Sequence, residues 1–339
     1  MGSQQRGFTR LAVVGAVLML AVLASALFIW RGNEAQPVIG AKPIRIAVSQ
    51  TPLSSPFFIA SKLKFFQQQG LDVTLVPCSG GVACADSLFN GSVDFATASE
   101  SVVMFKSFER HDFVLLASFV SSDNDLKLLT LDNRNIKSIE DLGGKRVGVV
   151  KASSSEFYLD SVLLAHNLKN LNLEKVYLSP DQLNQALYGF SVDAISVWEP
   201  WGYRTEMTSA SKVKNLGIHG IYNLSFNLMA MKERIDSNEE ESIRVLEALK
   251  QAIAWMNANP EQARYWVATS LNIREHQLEW SWQDYVFRLS LGNALLSNIQ
   301  LQARWALENK LVKGELPDYR RYFASEPLEQ VLQTEVSFK

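Results

Sequence analysis

Three consecutive serines, residues 153–155, stand between a predicted strand and a predicted helix. The apolar run at residues 147–150 predicts the strand, and the spacing of Phe157, Leu159 and Val162 predicts the helix. A serine at a helix start caps free backbone N–H groups, and those groups together with the helix dipole attract anions. The stretch therefore indicates either an ordinary helix cap or an anion-binding loop.

The composition excludes several classes of function. The 33 basic and 35 acidic residues give a formal net charge of −2, which lacks the basic excess typical of nucleic-acid-binding proteins. Four histidines and two cysteines show neither metal-ligand spacing nor a catalytic signature. We therefore predict no catalytic residues, no metal, no cofactor and no nucleic-acid partner. A chain of 339 residues also favours two domains over one.

The N-terminus predicts an export segment. Residues 11–30 carry no charge and lie between Arg10 and Arg31, and at about 1.5 Å per residue such a run can cross a bilayer. Two interpretations stay open: residues 1–31 are a retained signal anchor, or a signal peptide with a cleavage site at the small residues 24–26. Both place the remainder outside the cytoplasm. Residues 32–42 read as a polar linker.

Three predicted strands deliver small polar residues to one edge of a sheet. The strands are residues 43–48, 71–77 and 93–97, and the helical patterns between them imply parallel pairing. Ligands bind at the carboxyl edge of open α/β sheets. The loops that follow these strands are therefore candidates for a binding site.

The same order of strand, loop and helix recurs in the second half, where residues 192–197 form the last strand and end in Trp198 and Glu199. Extended segments at residues 126–131 and 218–228 predict two crossings between the blocks. The remaining patterns predict helices at residues 57–69, 239–257, 260–271, 275–293 and 299–310.

Four segments together resemble the substrate-binding proteins of ABC importers for sulfonates, taurine, nitrate and thiamine pyrimidines. They are VSQTPLSSPFFIASKLKFFQQQGLDVTLVP, the glycine-containing loop with SLFNGSVDFATAS, DLGGKRVGV, and VDAISVWEPW. The resemblance covers about residues 43–310. It implies an α/β, type II periplasmic-binding fold with two lobes joined by two crossing strands. Lobe 1 would comprise residues 43–127 and 222–339, and lobe 2 residues 128–221.

The resemblance also implies a location and a partner. The protein would lie on the periplasmic side of the bacterial inner membrane, anchored by residues 11–30, or would be soluble in the periplasm after cleavage. Its partners would be a small-molecule ligand and the permease of an ABC importer.

The positions that match the ligand-binding loops of this class lie on both lobes, and the cleft would close on the ligand by a hinge motion. They are Ser49, Gln50, Thr51, Gly80, Gly81, Ser99, Glu100, Ser153, Ser154, Ser155, Trp198 and Glu199.

Two of these positions carry carboxylate side chains, which favours ligands that have a hydrogen-bond donor or a positive charge. Glu100 and Glu199 would recognise an amine or a ring N–H, or they would simply be solvated at loop tips. Trp198 would stack on a flat or cationic ligand, or fill the core of its lobe. Since no cleft arginine is evident, we predict an amino-sulfonate or a nitrogen heterocycle rather than nitrate or a bare sulfonate.

The two cysteines, Cys78 and Cys84, lie six residues apart around a Gly-Gly turn. In an exported chain this spacing favours a disulfide that closes the loop. A redox site is disfavoured because the spacing is not C-x-x-C.

Three functions are compatible with the sequence. The first is an extracytoplasmic solute-binding protein that delivers its ligand to an ABC importer. The second is a membrane-anchored sensor or partner-presenting protein built on the same fold. The third is an enzyme of the thiamine-pyrimidine synthase group, which is disfavoured because its cysteine-rich iron motif is missing and an export segment would be out of place.

Overall fold

The structure is a computed structural model that describes residues 43–336. Its eleven strands form two mixed sheets. They are β1 Ile44–Ser49, β2 Val73–Cys78, β3 Phe95–Ser99, β4 Phe113–Ser122, β5 Leu126–Leu131, β6 Arg146–Val149, β7 Glu174–Tyr177, β8 Ala194–Trp198, β9 Val213–Asn215, β10 Leu224–Met231 and β11 Val286–Ser290.

Thirteen α-helices of the described residues pack against these sheets. They are α1 Ser55–Lys62, α2 Phe65–Gln68, α3 Gly80–Phe89, α4 Glu100–Ser107, α5 Ser154–Ala165, α6 Pro180–Tyr188, α7 Trp201–Thr208, α8 Lys232–Ser237, α9 Glu239–Ala258, α10 Pro260–Leu271, α11 Glu275–Trp282, α12 Asn293–Glu308 and α13 Glu326–Leu332.

The first sheet has the strand order β11-β4-β10-β3-β1-β2. β1 pairs in parallel with β2 and β3, as the strand and helix alternation predicts. β10 pairs antiparallel with both β3 and β4, so the extended segment predicted as a crossing ends as a central strand. We call the part of the chain built on this sheet lobe 1.

The second sheet has the order β7-β6-β8-β5-β9 and builds lobe 2. β6 pairs in parallel with β7 and β8, while β5 lies antiparallel to β8 and β9. The chain passes between the sheets twice, over residues 123–125 and 216–223. The predicted α/β architecture with two blocks is therefore confirmed. Each block is a mixed sheet because the first strand after a crossing, β5 in lobe 2 and β10 in lobe 1, pairs antiparallel with its neighbours.

Three predicted helices are wrong in their extent. The helix predicted at residues 299–310 begins earlier, at Asn293, and ends at Glu308. The helix predicted at residues 275–293 is interrupted by β11, whose Phe287 and Leu289 are buried while Arg288 is exposed. This alternation is the pattern of a half-buried strand, and it overrides the helical spacing around it. The helix predicted at residues 57–69 breaks at Lys64, which has a left-handed φ of 60° and separates α1 from α2.

The predicted membrane segment at residues 11–30 and the linker at residues 32–42 lie outside the described residues. Within residues 43–336, none of the helices has the length and apolar character needed to cross a bilayer.

Candidate functional site

A closed cleft lies where the carboxyl ends of β1 and β3 in lobe 1 face the ends of β6 and β8 in lobe 2. Its volume is about 30 Å³, which leaves room for roughly one water molecule. No arginine or lysine lines this cleft among the residues that the structure describes. Eight of the twelve predicted residues line it, namely Ser49, Thr51, Gly80, Gly81, Ser99, Ser153, Ser154 and Trp198.

Two hydroxyl groups at the end of β1 are available to a ligand. Ser49 and Thr51 are buried, and neither side-chain oxygen has a hydrogen-bond partner within residues 43–336. The backbone around them is fixed, since the N–H of Ser49 donates to Oγ1 of Thr97 at 3.0 Å. Buried polar atoms are nearly always paired in native proteins. These two hydroxyls therefore have unused hydrogen-bonding capacity at the cleft.

The glycines at the start of α3 allow the lobes to approach closely. Gly80 has a left-handed φ of +85°, and a Cβ built on it would lie 3.2 Å from a ring carbon of Trp198 in lobe 2. A Cβ on Gly81 would lie 3.0 Å from Cα of Ala98 within lobe 1. Gly80 thus permits contact across the cleft, while Gly81 permits packing of α3 on β3.

The serines at the next two helix starts act mainly as caps. Ser99 accepts a hydrogen bond from the N–H of Val102 at the start of α4. Ser153 accepts one from the N–H of Ser155 at 3.2 Å at the start of α5. The hydroxyl of Ser155 donates to the carbonyl of Ser196 at 2.8 Å, which turns it away from the cleft and links α5 to β8.

Glu100 is placed inside lobe 1 and does not line the cleft. Its carboxylate accepts hydrogen bonds from the N–H of Ser225 at 2.8 Å, from Nε2 of Gln302 at 3.1 Å and from the hydroxyl of Tyr222. It is fully buried, and this burial raises its pKa, although the hydrogen bonds oppose the shift. The arrangement ties α4 to β10 and α12.

Glu199 lies behind the cleft in lobe 2. One carboxylate oxygen accepts a hydrogen bond from the N–H of Tyr203 at 2.9 Å, and Oε1 has no partner among residues 43–336. Burial raises the pKa of Glu199 to about 7. The peptide bond from Glu199 to Pro200 is cis. Neighbouring Trp198 is buried and lines the cleft, where its ring faces Gly80.

Gln50, the remaining predicted residue, is exposed and donates weakly to the carbonyl of Val48 at 3.4 Å. The structure therefore brings together eight predicted residues and leaves Gln50, Glu100, Ser155 and Glu199 outside the lining.

Asp125 lines the cleft and was missed by the sequence reasoning. It lies in the short connection between β4 and β5, with 1% of its surface exposed. Its Oδ1 accepts a hydrogen bond from the hydroxyl of Tyr285 at 2.8 Å, while Oδ2 has no partner in the described part of the chain. Burial raises its pKa to about 7. The signal available in the sequence was the pair of aspartates Asp123 and Asp125, at the point where the chain leaves lobe 1.

Cys78 and Cys84 are joined by a disulfide, with their Cα atoms 5.5 Å apart. The bond connects the end of β2 to α3 and closes the loop that carries Gly80 and Gly81. The cleft-forming start of α3 is thereby attached covalently to the sheet.

A second, larger groove of about 1020 Å³ lies between α5 and α12. None of the twelve predicted residues lines it. Among residues 43–336, no cluster of histidine, cysteine, aspartate or glutamate has the arrangement of a metal site.

Comparison with known proteins gives consistent results. The family model described as NMT1/THI5 like matches residues 51–263. A Bacillus subtilis (strain 168) protein named as an aliphatic sulfonates-binding protein is 27% identical over 256 residues, which cover 72% of this chain and 75% of that protein.

Two solved structures share the fold. The periplasmic aliphatic sulphonate binding protein SsuA from Escherichia coli superposes with a TM-score of 0.71 at 20% identity, over 84% of this chain and 97% of that one. The alkanesulfonate-binding protein SsuA from Xanthomonas axonopodis pv. citri, bound to MOPS, superposes with a TM-score of 0.74 at 18% identity. The match covers 83% of this chain and 98% of that one.

The Bacillus protein and the two solved structures are described as binding proteins. The family model spans more than half of the 339 residues, and the two-lobed fold and the cleft at the strand ends agree with it. The chain therefore belongs to the NMT1/THI5-like family.

Proposed function

We propose that the chain is an extracytoplasmic solute-binding protein that captures a small organic ligand in the cleft and delivers it to an ABC importer. Of the two ligand classes that the sequence indicates, we propose the amino-sulfonate rather than the nitrogen heterocycle. The lobes that close on it are built on the two sheets, residues 43–122 with 224–336 and residues 126–215. The predicted boundary between residues 127 and 128 is corrected because it would divide β5, which begins at Leu126.

The observation that carries this proposal is the convergence of three helix starts on one closed cleft. Gly80 of α3, Ser99 before α4 and Ser154 of α5 all line it. Free N–H groups and the positive dipole end at a helix start favour an anionic group. The unpartnered hydroxyls of Ser49 and Thr51 add donors for the oxygens of such a group.

The size of the cleft supports a small ligand. A volume of about 30 Å³ requires the lobes to separate before any organic ligand enters, and a compact ligand allows them to close again with the least rearrangement. The MOPS ligand of the Xanthomonas protein carries both an amine and a sulfonate. That ligand supports the same chemical class for this chain.

The proposal is tested by isothermal titration calorimetry of the full chain against a panel of taurine, homotaurine, MOPS, unsubstituted alkanesulfonates, pyrimidines and nitrate. We expect tightest binding by an amino-sulfonate. Failure of every panel member to bind a folded protein would contradict the proposal. Circular dichroism of the same sample establishes whether the protein is folded, so that absence of binding is not confused with loss of the fold.

Location and partner are tested separately. Residues after about 40 are expected in the periplasm, with residues 11–30 as a membrane anchor. Cell fractionation with and without alkaline extraction distinguishes an anchored from a soluble protein. Recovery in the cytoplasm would contradict delivery to an importer.

A further inference from the structure

The geometry points to Asp125 as the cation-binding subsite of the cleft: we propose that its Oδ2 binds the ammonium group of a zwitterionic ligand. This inference rests on the proposed function and deepens it, because it identifies the residue that distinguishes amino-sulfonates from plain sulfonates. Neither the resemblance nor the candidate loops included this position.

The carboxyl group of Asp125 is buried and only partly hydrogen-bonded. Asp125 lines the cleft, is 1% exposed and has one oxygen with no partner within residues 43–336. Leaving a polar oxygen buried without a hydrogen-bond partner is costly. A ligand ammonium would pair with that oxygen in a charge-assisted hydrogen bond, which is stronger than a neutral one.

Two hydrogen bonds hold Asp125 in place. The hydroxyl of Tyr285 donates to Oδ1 at 2.8 Å, and the backbone carbonyl of Asp125 accepts from the N–H of Glu199 at 3.2 Å. Tyr285 lies in lobe 1 and Glu199 in lobe 2, so Asp125 is fixed by both sides of the hinge. A preorganised carboxylate loses little freedom on binding.

Lys127 is a cation close enough to Asp125 to lower the pKa of its carboxyl group. Its Nζ donates to the carbonyl and the Oδ1 of Asn124, the latter at 2.9 Å, and it makes no hydrogen bond to Asp125. Glu199 and Asp284 also lie near Asp125. Two further acidic groups therefore lie near Asp125 beside Lys127, and such a position favours an ammonium group over an additional acidic one.

The anionic end of a zwitterion has its own subsite in the same cleft. Gly80, Ser99 and Ser154 place three helix starts there, while Asp125 supplies the opposite charge. A plain sulfonate would use the helix starts alone and leave Oδ2 unpaired. Discrimination is large when a buried polar group of the site is left unpaired by the wrong ligand.

The test compares two pairs of ligands that differ only in the replacement of the ammonium by a hydroxyl. The pairs are taurine with isethionate, and homotaurine with 3-hydroxypropanesulfonate. We expect the full-length wild-type chain to bind each amine at least tenfold more tightly. Asp125→Asn is expected to lose at least tenfold in affinity for the amines and less than threefold for the hydroxyl analogues.

The control is Asp123→Asn, which removes an exposed carboxylate two residues earlier that pairs with His219 and should leave all four affinities unchanged. Equal wild-type affinity within each pair would overturn the inference without any variant, so the test does not depend on the folding of Asp125→Asn. Binding of none of the four would also overturn it, whereas a different hit in the wider panel would leave the proposed function standing.

Discussion

The carboxylate of Glu100 accepts a hydrogen bond from the backbone N–H of Ser225 at 2.8 Å, so the first residue of α4 is attached to strand β10. Gln302 of α12 donates to the same carboxylate at 3.1 Å. Three elements that are far apart in the sequence therefore meet at one buried carboxyl group. This explains why Glu100 follows a strand at the cleft edge and yet does not line the cleft.

Replacing Glu100 by alanine should destabilise the fold by about 3 kcal/mol, because the N–H of Ser225 and the amide of Gln302 lose their buried acceptor. Urea unfolding measures this difference. The control is Glu109→Ala, an exposed residue just beyond the same helix, which should change stability by less than about 0.5 kcal/mol. A small effect of Glu100→Ala would show that the network is not structural.

The sequence predicts the position of Glu100 in the chain fold but not the direction of its side chain. Residues 93–97 and the loop after them predict a residue at the sheet edge, and that is where Glu100 lies. The direction of its side chain depends on Tyr222 and Gln302, which are 122 and 202 residues away. Asp125 was missed for the same reason. Its place in the cleft depends on its hydrogen bond to Tyr285 and on the closed arrangement of the lobes, which the local sequence does not indicate. Ser49 is the last residue of β1 and Gly80 lies two residues after the end of β2. Strand order alone was therefore enough to place both at the cleft edge.

The affinity for taurine should depend on pH through Asp125. Burial raises its pKa to about 7, with Asp284 acting in the same direction and Tyr285 and Lys127 opposing it; Glu199 is a further carboxylate beside it. A bound ammonium favours the ionised form and lowers this pKa, so binding below about pH 7 releases a proton. Affinity should therefore fall up to tenfold per pH unit as the pH drops below 7.

Calorimetry from pH 5.5 to 8 in two buffers of different ionisation enthalpy measures both the slope and the released proton. Isethionate binding should neither depend on pH nor release a proton. Asp125→Asn should remove the pH dependence of the affinity for taurine. The same pH dependence for taurine in that variant would mean that another group titrates.

Stability should also depend on pH, through Glu199. Burial is the largest cause that raises its pKa from 4.5 to about 7. A carboxyl group whose pKa is higher in the folded than in the unfolded state stabilises the fold fully below pH 4.5, and this contribution is lost as the pH rises through 7. Wild type should therefore lose roughly 1 to 3 kcal/mol between pH 5 and 8 from this group.

Glu199→Gln keeps a neutral side chain at all these pH values, so its unfolding free energy should fall less over the same range. The exposed Glu279→Gln control should follow wild type. Ligand titration of Glu199→Gln and Glu199→Ala also tests the prediction that Glu199 binds the ligand, because unchanged affinity in both would remove it from the site.

The disulfide between Cys78 and Cys84 should contribute about 2 kcal/mol, since it closes a short loop in the unfolded chain. The double variant Cys78→Ala with Cys84→Ala should unfold at lower urea concentration by that amount, and reduction of the wild type should have the same effect. Thiol labelling of the denatured, unreduced chain should find none of its two cysteines free. Two labelled thiols per chain would contradict the bond.

Gly80 should control closure of the cleft. A Cβ there would lie 3.2 Å from the ring of Trp198 in the opposite lobe, so Gly80→Ala should keep the lobes from closing fully. We expect at least a tenfold loss of affinity for the tightest ligand of the panel, together with a larger radius in small-angle scattering of the liganded protein.

Gly91→Ala supplies the matched control for this variant. Gly91 has a similar left-handed φ of +74°, but a Cβ there would meet nothing within 4 Å. It therefore carries the backbone strain of about 1 to 2 kcal/mol without the contact across the cleft. Its ligand affinity should equal that of wild type. An equal loss of affinity in both variants would assign the effect to backbone strain, whereas a loss confined to Gly80→Ala, and relieved when Trp198→Phe is added, would assign it to contact between the lobes.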